Sequence, residues 1–312
     1  MAGPKSGRKG DAAAHGLQEQ KVSAVASTTT TGRGERRADG QLLSIDEAPP
    51  WLRFNRFIRT AYRPQMSVSE ALASFFTLHN ESVNVWSHFF PALWFVWLAF
   101  NPWCDSWIML WSLVSIIGIF AASSTYHLMM PCCRSHEGYS RLILCDVMGA
   151  LCSITTTAYS FILYGYRCTS ESTVQAAAVL FGLSAAMCGL AILSLHMSVV
   201  QRFKLFGAHC LLRLVVSQWI MVPKILAQGT VSASYVQHTG SFFVILLGGL
   251  FNITRIPECW IAHRPGTFRL VDIVGNSHNW WHVCCFLSCY MTLLGAYYDD
   301  VEYRETRCAW EL

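Results

Sequence analysis

Two histidines four residues apart, His278 and His282, stand in the stretch GNSHNWWH at the start of the last strongly apolar segment. On a helix, residues i and i+4 share a face. The pair therefore offers two imidazoles to one ion, as the histidines of a zinc-protease helix do. His127 closes an earlier apolar segment in SSTYH and offers a third nitrogen. Three protein ligands leave the fourth tetrahedral position to water, the arrangement of catalytic zinc sites. Imidazole also favours zinc over magnesium. Asp146, in LCDVMG, carries a carboxylate that can orient such a water or take its proton. Ser123 lies one turn from His127 on the same face and offers a hydroxyl to the water or to an oxyanion. HxxxH alone is also what two helix-end histidines in a headgroup region would give, so the elements that position these residues decide its meaning.

Those elements are apolar helices. Of the 312 residues 53% are hydrophobic and 13% charged, about half the charge of a soluble domain. Apolar runs of bilayer-spanning length recur from Val83 to Tyr298. Spans are expected at roughly 83–101, 107–129, 142–164, 175–198, 207–227, 239–256 and 277–298, an all-α seven-transmembrane bundle within a membrane domain of 83–298. Arginine and lysine cluster before span one and between spans two and three, four and five, and six and seven. That asymmetry places the N-terminus in the cytosol. His127, Asp146, His278 and His282 then fall at the cytosolic ends of three spans. Their orientation was set by Lys and Arg alone, so the common depth independently favours a metal site.

Residues 1–50 read as a disordered cytosolic tail without a hydrophobic period. Residues 51–82 read as a juxtamembrane amphipathic segment: Arg53, Arg56, Arg59 and Arg63 lie among Trp, Phe and Ile, suiting an anionic bilayer surface. Ser67 to Phe76 reads as a short amphipathic helix. Residues 299–312 form a short exoplasmic tail. A net charge of +4 excludes nothing but gives no argument for nucleic acid.

Four further groups bear on chemistry. In HNESVNVWSH, residues His79 to His88, the spacing fits a capped helix start with buried hydrogen bonds; the alternative is a polar seam supporting the site from span one. His209 and Arg213 share a face of span five. Arg213 could pair with Asp146 or Glu81, hold a lipid headgroup, or snorkel. Most of the 13 cysteines lie in apolar runs and read as small apolar residues. Cys104, Cys168 and Cys308 would face the oxidising side, where a disulfide can form. His196 reads as a satisfied helix-end residue.

TLHNESVNVWSH, SSTYH with Asp146 downstream, and RIPE…RPGTF…DIVGNSHNWWH together resemble the three signature blocks of the progestin and adipoQ receptor family. The resemblance runs from about Trp51 to Tyr298. It implies an adiponectin-receptor-like bundle of seven spans with a cytosolic N-terminus. It also implies a Zn2+ ion on His127, His278 and His282, with Ser123 and Asp146 near its water. Relatives are linked to hydrolysis of ceramide, so it implies a zinc-dependent lipid amide hydrolase acting on a ceramide-like substrate from the bilayer, in the Golgi or another endomembrane. Two other readings stand beside this one. The first is a receptor with structural zinc; the second is a Golgi scaffold that holds cytosolic proteins through its N-terminal tail. Pro257-Glu258-Cys259 stands for the family's Pro-Glu-Arg, and Val147 for a frequent tyrosine. These departures leave the expected ligands intact and bear on partner contacts and substrate choice.

Overall fold

A computed structural model describes residues 41–101, 105–166, 172–194, 197, 199–261 and 268–305. Among these the chain is helical, with one isolated antiparallel bridge between Leu43 and Tyr62. The helices are α1 (Val68–Ala73), α2 (Ser82–Ala99), α3 (Trp107–Met129), α4 (His136–Thr156), α5 (Tyr159–Gly165), α6 (Ser172–Ser194), α7 (Val199–Gln228), α8 (Ala233–Thr254), α9 (Glu258–Ile261), α10 (Phe268–Ile273) and α11 (Ser277–Glu305). Seven long helical bodies overlie the seven expected segments, with α4 and α5 together forming the third. Among the described residues, four stretches are long and apolar enough to cross a membrane: Trp107–Cys132, His136–Gly165, Lys204–Gln228 and Ala233–Ile261.

Where boundaries depart from expectation, local chemistry explains why. The third body breaks at residues 157–158. There Thr155, Thr156 and Thr157 turn their hydroxyls back onto the carbonyls of Leu151, Cys152 and Ser153, loosening the backbone ladder. Helix α1 begins at a capping box. The Ser67 side chain accepts from the Glu70 amide, and the Glu70 carboxylate accepts from the Ser67 amide at 2.7 Å.

The tail expectation needs correction at its inner end. Residues 41–50 are folded, with Ile45 and Ala48 buried beside Leu52, Ile58 and Tyr62 against Tyr126, Met130 and Tyr139. Apolar area there outweighs the polar composition that precedes it. Arg63 also departs from a surface role. Its buried guanidinium donates to the carbonyls of His127 (2.6 Å) and Leu128 (3.0 Å) and to Ser74 Oγ (2.8 Å). It thereby satisfies carbonyls that the end of α3 leaves open. At the other end, the helix of α11 runs through residues 299–305, where a tail was expected, and Asp299 and Asp300 are buried. Cys104, Cys168, Cys308 and His196 lie outside the described residues.

The central core joins α2, α3 and α11 through Phe95, Leu113, Ile116, Phe120, Leu293 and Ala296. Helix α8 packs along α11. Two glycines permit that approach: a Cβ on Gly248 would lie 2.6 Å from Cys284 Cβ, and one on Gly295 would lie 2.7 Å from the His238 ring. The core thus fixes α3 and α11 side by side, and these are the helices that carry the expected ligands.

Candidate metal centre

The sequence around α11 dictates how its first turn is held. Gly275 takes a left-handed φ of +81° that favours glycine. The Asn276 side chain accepts from the amides of His278 and Asn279, both at 3.1 Å, and the Asn279 side chain accepts from the Gly275 amide at 2.8 Å. Glu258 takes the Ser277 amide at 2.7 Å and also the Ser277 hydroxyl. A helix start satisfied this fully sets the direction of His278 and His282.

Those two rings meet His127 from α3. One potential ligand atom from each of the three lies within 4.8 Å of the other two. Ring centroids are separated by 5.1, 5.0 and 4.7 Å. His127 Nε2 and His278 Nε2 are 3.3 Å apart.

The outward nitrogens are all held. His127 Nδ1 donates to the Glu81 carboxylate at 2.8 Å. His278 Nδ1 donates to Asn252 Oδ1 at 3.2 Å, an oxygen that also accepts from Arg255. His282 Nδ1 lies 2.8 Å from Ser87 Oγ. The Ser87 hydroxyl is itself spent on the Asn84 carbonyl, so its oxygen accepts. This network assigns the proton of each ring to Nδ1 and leaves three Nε2 lone pairs facing inward.

Two lone pairs at 3.3 Å repel unless a cation lies between them. Tetrahedral ligands with metal–nitrogen bonds of about 2.0–2.1 Å sit roughly 3.3 Å apart. Both the donor set and its outer partners fit a borderline-soft divalent cation.

Ser123 and Asp146 stand beside the three rings. Ser123 is buried one turn before His127, beside the half-buried Asp146 carboxylate of α4. Both line a cavity of about 620 Å³ whose wall includes His88, His278 and His282. Its size lies in the range of small-molecule sites.

The stretch from His79 to His88 is more than a capped helix start. Glu81 makes no side-chain cap; it holds His127 and accepts from Asn84 Nδ2 at 2.7 Å. Asn84 in turn accepts from Asn279 at 2.6 Å. His88 stacks on His282 at 3.7 Å with the rings 8° from parallel. The seam ties α2 to both ligand-bearing helices.

Arg213 pairs with neither Asp146 nor Glu81 in the structure. Its guanidinium lies 5.4 Å from the centroid of the Phe161 ring. Burial inside the bundle keeps it from snorkelling. Sequence reasoning missed Ser87, Asn252 and Arg63 as supports. Ser87 and Asn252 are uncharged, and their role depends on which helix faces them.

The model of a family described as "Haemolysin-III related" matches residues 76–293. Over 256 residues the chain is 32% identical to "Progestin and adipoQ receptor family member 4" of Homo sapiens, covering 79% of this chain and 88% of that protein. To the Mus musculus protein of the same name it is 32% identical over 253 residues, covering 78% and 87%. It is 27% identical over 296 residues to "ADIPOR-like receptor IZH1" of Eremothecium gossypii, covering 87% and 89%.

Proposed function

Because the chain belongs to the haemolysin-III-related family, with the progestin and adipoQ receptors as its relatives, we propose that it is a seven-span membrane hydrolase of lipid amides. His127, His278 and His282 hold Zn2+, and the substrate class is ceramide-like. One observation carries this reading: one ring nitrogen from each of His127, His278 and His282 converges with the others while Glu81, Asn252 and Ser87 hold the three Nδ1 atoms.

When bound, zinc would bring the pKa of a water to about 7 and polarise a carbonyl. The protein's own groups do the rest. Ser123 and Asp146 stand together in the cavity wall, where Asp146 takes the water's proton and returns it to the leaving amine. The apolar wall, including Ile116, Ile119 and Ile245, receives the acyl chain and keeps bulk water out. Lys and Arg asymmetry favours a cytosolic N-terminus, and the resemblance favours the Golgi or another endomembrane.

Zinc content and fatty-acid release from ceramide, measured on one purified sample, test the reading. Asp146→Ala should abolish release and leave zinc bound. His278→Ala should lose both. Full release by a metal-free protein would overturn it.

The names of relatives favour a second reading, a receptor in which the ion only tethers α3 to α11. On that reading Asp146→Ala would leave ligand response intact and no turnover would be measured in the wild type.

A further inference from the structure

His127 stands in the last turn of α3 and His278 in the first turn of α11, so the trio lies near one end of the bundle. A hydrated divalent cation does not cross an apolar wall, so its way in is from that end. There the cavity is lined by Pro50, Trp51 and Phe54, all from the stretch 41–62 ahead of α1. Phe54 lies edge-on to His278, with 6.2 Å between the ring centroids.

This stretch has a fold of its own. Leu43 and Tyr62 exchange amide-to-carbonyl bonds of 2.7 and 3.0 Å, and the Ile45 amide donates to the Arg59 carbonyl at 2.9 Å. The strap so formed is tied to the bundle by two fully buried acids. Glu258 accepts from Asn55 Nδ2 at 2.9 Å. Asp272 accepts from the Arg59 amide at 3.2 Å, the Thr60 amide at 2.9 Å and the Thr60 hydroxyl at 2.6 Å.

Two features oppose the closed strap. Ala61 holds φ at +66°, a left-handed conformation that only glycine adopts freely. Trp51 Nε1 is enclosed without a hydrogen-bond partner, and an unmet donor of this kind is satisfied once water reaches it. Both are relieved when the strap lifts. Its closure therefore depends on the acids that fasten it, as in a part built to open.

We propose that residues 41–62 are a strap that gates the passage of the metal ion between water and the histidine trio. The proposal rests on zinc at His127, His278 and His282. With the strap closed, Trp51 and Phe54 cover the way to His278. With Asp272 released, the strap lifts and the ion comes and goes. Such a gate multiplies entry and exit by the same open fraction. It changes both rates and leaves the dissociation constant as it was. A brace that only aims His278 would weaken binding through faster exit alone.

The test uses the purified full chain in nanodiscs with Zn2+ as the probe. Entry is followed by stopped-flow as a zinc-sensitive dye gives up its ion, and exit by capture of the bound ion in excess chelator, with His127→Ala as the background. Amide exchange at Arg59 and Thr60 in the metal-free protein reports strap opening directly. Thr60→Val removes one bond to Asp272 and spares Glu258, which also holds Ser277 of α11. It should raise entry, exit and amide exchange together by about tenfold, the worth of a hydrogen bond to a charged group, and leave the dissociation constant unchanged. Ala61→Gly relaxes the closed form and should slow all three by about threefold. Weaker binding in Thr60→Val with entry unchanged overturns the proposal in favour of a brace. Unmoved rates in Thr60→Val, or faster exchange in Ala61→Gly, overturn it outright. Each of these outcomes leaves the metal reading standing. A wild type that binds no zinc overturns that reading and the gate with it. Should Thr60→Val fail to fold, Ala61→Gly decides.

Discussion

At the scale of single residues, the centre depends as much on what stands behind the imidazoles as on the imidazoles themselves. Glu81 fixes the His127 proton on Nδ1. Loss of such an outer partner commonly costs about 10–100-fold in metal affinity. Glu81→Ala is therefore expected to weaken zinc binding by that order, measured by competition with a chromophoric chelator, while His127→Ala removes binding altogether. Ser87→Ala should weaken it less, because a neutral hydroxyl orients His282 less strongly than a carboxylate orients His127. The grouping of His127, His278 and His282 was legible in the sequence, since an i, i+4 pair and a third histidine at matching depth leave few arrangements. Glu81 was not legible. An acid at a helix start is what capping predicts, and only the position of α3 beside α2 shows that its carboxylate points at a ring.

Helix ends decide whether those residues hold their places. Arg63 closes α3 at His127 itself by filling the carbonyls of His127 and Leu128. Arg63→Met leaves both acceptors buried without a donor, at about 1–3 kcal/mol for each group left unsatisfied. A clear drop in melting temperature is expected, read by a thermal shift on the purified protein, together with weaker zinc binding. Asn276→Ala removes the N-cap of α11, worth about 0.5–2 kcal/mol; hydrogen exchange at Ser277 to Trp280 should rise in that variant. The short helix from Ser67 was visible in the sequence, whereas its capping box and the turn at Gly275 and Asn276 emerge from the structure. The break at residues 157–158 was hidden, because three consecutive threonines are compatible with a continuous span until their hydroxyls choose the backbone. The burial of Arg63 was hidden for a related reason. Four arginines at regular intervals read as one basic face, and only folding separates the one that turns inward.

For the molecule as a whole, the order of helices along the chain was legible from apolar runs, whereas their packing was not. Hydropathy makes the α8 stretch long and apolar enough to cross a membrane but says nothing of its closeness to α11, which rests on positions such as Gly248 and Gly295. Small residues at helix crossings allow backbones to approach in membranes. Gly248→Val would force its side chain into Cys284 and Trp281, so α8 must move away from α11. The expected result is a less stable bundle with impaired zinc binding, although no ligand has been changed; a substitution at Gly182, which meets nothing within 4 Å, is the matched control. Topology can be tested at this scale as well. A tag before residue 41 should be digested by protease added to intact vesicles with their cytosolic face outward, and a tag after residue 312 should survive until detergent is added.

Glu258 has two clients. One oxygen accepts from Asn55 Nδ2 at 2.9 Å, the other from the Ser277 amide, and nearby Asp272 grips the amides of Arg59 and Thr60 and the Thr60 hydroxyl. Phe54, between Arg53 and Asn55, lies edge-on to His278 at 6.2 Å. The stretch ahead of α2 is thus riveted to the turn that aims His278. Asn55→Ala, which removes one of those contacts, is therefore expected to disturb the histidine cluster without changing any of its rings.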